Sequence, residues 1–108
     1  MEEKKIILVT TDLICGKEVE ALGLVKGSTV QTVNAIRDIG AGLKGLVGGE
    51  LTKYNEMMNN ARALATKRMA EEADAMGADA VIGIRYTTSS IMQGAAEVLA
   101  YGTAVKFK

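Results

Sequence analysis

The sequence predicts a single α+β domain built in two layers, a small and mostly antiparallel sheet with one long helix packed on it. Three observations favour this class. A helical pattern runs without interruption over about residues 50–76, β-type segments lie on both sides of it, and the last two of these are separated only by a short glycine-containing connection. The 108 residues fit one domain, residues 1–108, with enough chain for a core.

Two β-type segments come before the long helix. Residues 4–12 predict a strand with apolar side chains on both faces, Ile6 and Leu8 on one and Ile7 and Val9 on the other. Residues 15–33 predict one bent strand or a loose hairpin, with Gly23 and Gly27 at bulge or turn positions. Residues 33–49 have helical spacing, but three glycines favour a short or broken helix there.

The long helix is predicted from its apolar stripe. Large and small apolar side chains recur at intervals of three and four residues: Leu51, Tyr54, Met58, Ala61, Ala65, Met69, Ala73 and Met76. Gly77 is the expected end of the helix. Lys67 with Glu71, and Arg68 with Glu72, lie one turn apart, so we expect these pairs to interact on the solvent side.

The last two segments predict an antiparallel hairpin, residues 80–87 and residues 97–107, joined by the sequence IMQGAA. Thr87 to Ser90 (TTSS) are interpreted as a solvated loop. Strict alternation assigns the side chains to two faces. It separates Ile82, Ile84 and Tyr86 from Val81, Gly83 and Arg85, and it separates Leu99, Tyr101, Thr103, Val105 and Phe107 from Val98, Ala100, Gly102 and Ala104. We expect the helix to approach the small residues, Gly83, Ala100, Gly102 and Ala104.

The opposite face of the sheet then needs a cover, because soluble monomers rarely expose a large apolar patch. Two covers are possible: residues 33–47 of the same chain, or a neighbouring subunit. The three glycines of residues 33–47 favour the neighbouring subunit, so we expect a homo-oligomer.

The composition excludes several functions. Thirteen basic and thirteen acidic residues cancel, which gives no field for nucleic acid or an anionic membrane, and the longest apolar run, residues 6–9, is too short to span a bilayer. The acidic start Met1-Glu2-Glu3 is unlike a secretory signal, so we expect a cytoplasmic protein. There is no histidine, which excludes Ser-His-Asp and Cys-His catalysis and imidazole metal ligands, and we expect no cofactor and no enzymatic activity.

Cys15 is the only cysteine, so the chain forms no internal disulfide. A lone cysteine in an apolar sequence is usually a small buried side chain; the alternative is a reactive or shared thiol. Heavy-metal sites commonly need three or four soft or imidazole donors, which makes Cys15 a weak metal candidate.

The chain resembles the YbjQ-like family over nearly its full length. The resemblance rests on residues 37–86 (RDIGAGLKGLVGGELTKYNEMMNNARALATKRMAEEADAMGADAVIGIRY), on residues 96–107 (AEVLAYGTAVKF) and on a loose G-x-x-V-x-G element in LGLVKG. It implies a fold similar to the dodecin subunit and assembly into a homopentameric ring. Members of this family are often described as heavy-metal-binding.

Two polar features are candidate sites. Residues 40–45 (GAGLKG) match G-x-G-x-x-G, but they lie within a weak helical segment and not at a strand-to-helix turn, so we interpret the match as accidental. Gly48 and Gly49 either offer amides to an anion or form a tight turn, with Glu50 offsetting the helix dipole. The second feature joins two arginines, two carboxylates and a phenol: Arg37, Asp38, Glu50, Tyr54 and Arg62. These residues either bind a small anionic ligand, whose identity is unknown, or form an ion-pair network between subunits.

Overall fold

The computed structural model describes residues 5–32, 49–92 and 95–108, and the predicted α+β class is confirmed. Two strands, β1 (Ile7–Leu8) and β2 (Val19–Thr32), come before helix α1 (Gly49–Ala75). Two further strands, β3 (Ala80–Met92) and β4 (Ala95–Phe107), follow it. The four strands form one sheet in the order β1-β3-β4-β2, and all neighbours are antiparallel except β1 and β3.

Helix α1 ends as its glycine predicts. Gly77 has a φ of 80°, its amide donates to the Asp74 carbonyl oxygen at 2.9 Å, and the Ala78 amide donates to the Ala73 carbonyl oxygen at 3.1 Å. These two bonds form a Schellman motif, which satisfies carbonyl groups that the last helical turn leaves without partners. The reversal directs the chain into β3.

The core lies between α1 and one face of the sheet. Five side chains of the predicted apolar stripe are buried there: Met58, Ala61, Ala65, Met69 and Ala73. Tyr54 and Met57 pack against them, whereas Met76 at the end of the stripe is 40% exposed. The facing strands contribute small or medium side chains: Val25, Val81, Ile84, Val98, Ala100 and Ala104. The small-residue face predicted for β4 is therefore the face on which the helix packs.

Gly27 brings the helix and β2 into the closest contact of this interface. A Cβ atom at this position would overlap the Ala65 carbonyl oxygen and the Met69 amide nitrogen. The glycine lies opposite Ala100 on β4. Gly27 is therefore a point of close approach, while the irregularity of β2 occurs between Ala21 and Gly23. The predicted bend at Gly23 and single strand are confirmed.

The face assignment for β3 was wrong because the strand contains a bulge. Gly83 has a φ of 61°, and the register with β4 shifts between Ile82 and Arg85. An extra residue reverses the alternation beyond it. Ile84 consequently packs in the core, while Ile82 pairs with Thr103 on the other face.

Three further predictions needed correction. The first strand is only two residues long, because its regular pairing with Ala80 and Val81 stops at the β3 bulge, where the Ile84 and Gly83 amides donate to the Val9 and Thr11 carbonyl oxygens in an irregular pattern. Thr87 to Ser90 are exposed but lie within β3 and not in a loop, since β3 and β4 pair along most of their length. The connection of the hairpin is correspondingly shorter than IMQGAA. The expected short helix over residues 33–49 falls almost entirely outside the described residues.

The chain is elongated. Its principal extents are 53 × 30 × 22 Å and its radius of gyration is 16.9 Å, against about 13 Å for a compact domain of this length. The 27-residue helix is itself about 40 Å long. Among the described residues, no helix is long and apolar enough to cross a membrane.

Candidate functional site

The face of the sheet opposite α1 is the candidate functional surface. Because the small residues of β4 face the helix, its larger residues Leu99 and Tyr101 face the other way, and they are partly exposed. Leu24 and Val30 of β2 lie on the same side, since Leu24 pairs with Thr103 and Ser28 pairs with Leu99. We call the surface formed by Leu24, Val30, Leu99 and Tyr101 the open face.

The open face exposes large apolar side chains to solvent. Leu24 is 68% exposed and Val30 is 55% exposed, although both belong to a 14-residue strand. Burying a leucine or valine side chain fully is worth about 1.5–3 kcal/mol relative to leaving it in water. A partner surface that covered these side chains would therefore be stabilised by the hydrophobic effect.

One end of this face is already covered by the chain itself. Val105 follows Thr103 by two residues on β4 and is fully buried, as is its neighbour Ala80. The connection between β1 and β2 contacts this end, where the Lys17 ammonium group lies 5.0 Å from the centre of the Phe107 ring. The Lys108 amide donates to the Glu18 carbonyl oxygen at 3.0 Å. The exposed part of the face is thus limited to the stretch from Leu24 to Val30 and its neighbours on β4.

Charged side chains border the open face. Lys26 and Arg85 lie on the strands to either side of Tyr101, and Glu97 lies opposite Val30. The Arg85 guanidinium donates to the Thr10 carbonyl oxygen at 3.0 Å and to the Ile84 carbonyl oxygen at 2.9 Å. Lys26 also lies between Leu24 and Val30 on β2, so the charged side chains separate the apolar ones as well as flank them, and protein–protein interfaces commonly combine apolar and charged groups.

The five residues of the predicted polar cluster have different surroundings. Arg37 and Asp38 lie outside the described residues, and Glu50 is in the first turn of α1. Tyr54 is partly buried against the core, whereas Arg62 is exposed and donates to the Asn59 side-chain oxygen at 2.8 Å. Tyr54 therefore belongs to the core stripe and Arg62 to the surface, and the cluster as a ligand site or subunit contact stays a prediction.

Cys15 lies in the connection between β1 and β2 and is exposed, contrary to the expectation of a buried side chain. The connection joins the two opposite edges of the sheet across the end of the face away from α1, outside the core, which explains the difference. No group of three or more cysteine, aspartate or glutamate side chains with the geometry of a metal site occurs within residues 5–32, 49–92 and 95–108. A single subunit thus supplies one soft donor in this part of the chain.

Comparison with known proteins identifies the family. A family model described as "Putative heavy-metal-binding" matches residues 6–108. The chain belongs to the YbjQ-like family. A UPF0145 protein of Clostridium novyi is 66% identical over 101 residues, covering 94% of this chain and 98% of the relative. UPF0145 proteins of Alkaliphilus metalliredigens and Methanosarcina acetivorans are 61% and 54% identical, with 94% of this chain covered in both cases.

A solved structure supports the fold of the YbjQ-like chain. The crystal structure of a DUF74 protein of unknown function from Pediococcus pentosaceus matches with a TM-score of 0.70. The match covers 95% of this chain and 98% of the other, at 18% sequence identity. At this identity the likeness concerns the fold alone.

Sequence reasoning missed one feature that bears on function, the two outer edges of the sheet. The Glu72 carboxylate accepts a hydrogen bond from the Lys26 backbone amide at 3.1 Å, and the Arg68 guanidinium donates to the Ser28 carbonyl oxygen at 2.7 Å. Both side chains had been expected to pair with each other on the helix. Arg68 and Glu72 lie one turn apart on the helix, and the helix packs on a strand that contains glycine. This was the only sign in the sequence that both side chains lie near the β2 backbone.

Proposed function

We propose that this YbjQ-like protein is a cytoplasmic, non-enzymatic homo-oligomer whose subunits meet through the open face, in the pentameric ring that the resemblance implies. The observation that supports this proposal most strongly is the exposure of Leu24 and Val30 within a strand that pairs with β4 along its length. Apolar side chains in such positions are normally covered in a protein that works as a monomer.

Charge and shape support association with identical copies. The chain has thirteen basic and thirteen acidic residues, so copies do not repel each other through net charge. The elongated subunit has a large surface for its mass, and association is a common way to reduce the exposed area. The charged rim of Lys26, Arg85 and Glu97 offers groups of both signs to a copy of the same surface.

The non-enzymatic part of the proposal has a chemical basis in the whole chain. Without histidine, general acid–base chemistry near neutral pH would depend on a carboxylate, a lysine, a tyrosine or the single cysteine with a shifted pKa. The described residues bring no such group together with a second reactive group in a cleft.

Measurement of mass in solution tests the assembly. Sedimentation equilibrium and light scattering at micromolar concentration should give a species of several times the 11.4-kDa chain mass. A homogeneous 11.4-kDa species would reject the proposal, and a subunit number that is not a multiple of five would reject the pentameric ring alone.

The open face is tested by one substitution and a matched control. Leu24→Lys places a charge at the most exposed large apolar residue of the face and should lower the mass, while circular dichroism stays that of the folded chain. Ala63→Lys makes a similar apolar-to-charged change on the exposed side of α1 and should leave the mass unchanged. Equal masses for both variants would show that subunits meet elsewhere.

The second candidate function is binding of a small ligand, an anion or a heavy-metal ion, at subunit boundaries. It is supported by the description of the matching family model and by the exposed thiol of Cys15, of which an oligomer carries several copies. A shared site would supply the number of soft donors that one subunit lacks.

Equilibrium dialysis of the assembled protein against Zn²⁺, Ni²⁺ and Cu⁺ tests the metal. We expect uptake at less than one ion per subunit, and we expect Cys15→Ser to abolish it. Uptake that survives the substitution would exclude a thiolate site. For an anion, Arg37→Ala and Arg62→Ala should weaken both binding and assembly; loss of assembly alone would leave the polar cluster with a structural role only.

A further inference from the structure

The two sides of the sheet differ in how far the backbone groups of their edge strands are covered. At the β2 edge, the side chains of Glu72 and Arg68 occupy the outward amide of Lys26 and the outward carbonyl of Ser28. An extended chain therefore meets side chains of α1 before it reaches the middle of this edge. Such covering is one of the devices by which proteins protect an edge strand from pairing.

Among residues 5–32, 49–92 and 95–108, no strand pairs with the outer side of β3 over most of its length. β1 pairs with β3 only at Ala80 and Val81, and the following segment adds bonds from the Gly83 amide to Thr11 and from the Ile84 amide to Val9. Beyond Ile84, no strand of the described ranges lies on this side of β3. All side chains from residue 85 to residue 91 are exposed.

The direction of the backbone groups on this edge follows from the ladder. In a strand, the N–H and C=O groups of successive residues point alternately to the two sides. The Ile84 amide points toward β1, and the register of β3 with β4 is regular from Arg85 to Ser90. The backbone groups of Tyr86, Thr88 and Ser90 therefore point away from β4, toward the uncovered side.

We propose that this edge of β3, Tyr86 to Ser90, is a second docking surface, which pairs in antiparallel fashion with the same edge of a second copy of the chain. Centred on Thr88, the pairing sets Thr88 against Thr88 of the copy and Tyr86 against Ser90 of the copy. Each of these hydrogen-bonded pairs exchanges two N–H···O bonds. The contact has two-fold symmetry and does not use the open face.

The occupant is a second copy because the edge is complementary to itself. A two-fold axis brings each residue close to its own copy, and like charges across strands are destabilising. Residues 86–91 (YTTSSI) carry no charge, and threonine pairs across strands are favourable. The other outer edges among the described residues fit less well, since β1 is two residues long and β2 is blocked at Lys26 and Ser28.

Hydrogen exchange of single amides tests the pairing on the unmodified chain. The Thr87 and Ser89 amides face β4 and should exchange slowly in any folded state. In the paired assembly the Tyr86, Thr88 and Ser90 amides should exchange on the order of 100-fold more slowly than amides of an open edge. Fast exchange of these three amides in the assembled protein would overturn the proposal. Slow exchange in an 11.4-kDa species would also overturn it, since the chain's own residues would then cover the edge.

Thr88→Pro provides the second measurement. Proline removes the outward amide and leaves the neighbouring bonds to β4 in place. In an assembly of five-membered rings this two-fold pairing joins two rings, so we expect Thr88→Pro to halve the mass to that of one ring, while Thr88→Val, which keeps the amide, should retain the mass. An unchanged mass for a folded Thr88→Pro protein would contradict the pairing. The open face is judged separately by Leu24→Lys, so failure of that proposal and failure of this one are distinguishable.

Discussion

Gly27 sets the distance between the helix and the sheet. It lies under Ala65 and Met69, at a point where the helix backbone touches the strand and a side chain has no room. The surrounding core uses alanine at Ala61, Ala65 and Ala100, which keeps the two layers close over a longer stretch. One residue without a Cβ atom thus sets how closely the helix backbone approaches β2.

We expect Gly27→Ala to destabilise the protein by about 3 kcal/mol, because its Cβ atom meets helix backbone that cannot rotate away and the layers must separate. The free energy of unfolding is measured by urea denaturation at a fixed protein concentration. Ser28→Ala, at the next and exposed position, is the control and should cost less than about 0.5 kcal/mol. Equal stabilities would mean that the interface tolerates a shift of the helix.

At the scale of secondary-structure elements, the edge bonds from α1 to β2 join two layers that otherwise meet through small apolar side chains. Arg68 and Glu72 lie one turn apart, and each binds the strand backbone at a position two residues from the other. The bonds fix the position of the helix along the strand. They also satisfy backbone N–H and C=O groups that would otherwise bond to water at a sheet edge.

We expect the double variant Arg68→Ala, Glu72→Ala to lose about 1–2 kcal/mol of unfolding free energy, because two charge-assisted hydrogen bonds at an exposed position are removed. It should also self-associate more readily, as seen by light scattering during incubation at 37 °C. Lys67→Ala, Glu71→Ala is the matched control, with the same charges one position earlier on the helix. If both double variants behave alike, the bonds to β2 contribute nothing specific.

The elements differ in how far their sequence determined them. Helix α1 follows from a period that each turn repeats, and Gly77 marks its end, so the predicted bounds agree with the structure. The faces of β4 follow from regular alternation, which the register confirms. The faces of β3 beyond Gly83 did not follow, because one bulge residue reverses every assignment after it.

The candidate surface was predicted only in outline. The two-sided apolar character of the sheet is visible in the sequence, but the exposure of Leu24 depends on which strands the helix covers. Cys15 was expected inside and is exposed, since the path of the connection between β1 and β2 decides its position. The hydrogen bonds of Arg68 and Glu72 to β2 depend on the distance between the helix and the strand, which cannot be predicted from residue spacing.

The whole molecule combines a long shape with a small core. Its longest dimension, 53 Å, is more than twice its shortest, 22 Å, and within the described ranges the largest fully buried side chains are one methionine and four valines: Met69, Val25, Val81, Val98 and Val105. A core of this size gives limited stability to a chain of 108 residues. Association through the open face would add buried apolar area to it.

We therefore expect the melting temperature to rise with protein concentration, because assembly binds only the native subunit. Differential scanning calorimetry over a hundredfold range of concentration should show an upward shift for the unmodified chain and for Ala63→Lys. Leu24→Lys should melt at a lower temperature and with a weaker dependence on concentration, because it retains only the pairing of β3 edges. Parallel behaviour of all three proteins would contradict assembly through the open face.

The covered edge of β2 limits how many chains can associate through their strand edges. Fibres of stacked strands require each molecule to offer two free borders, so that every addition exposes a new one. With Glu72 and Arg68 over the Lys26–Ser28 stretch, the described residues leave one long free strand edge, that of β3, for the proposed pairing, and two copies joined there would use both edges. Edge pairing of the proposed kind would accordingly end at a closed unit instead of propagating into a polymer.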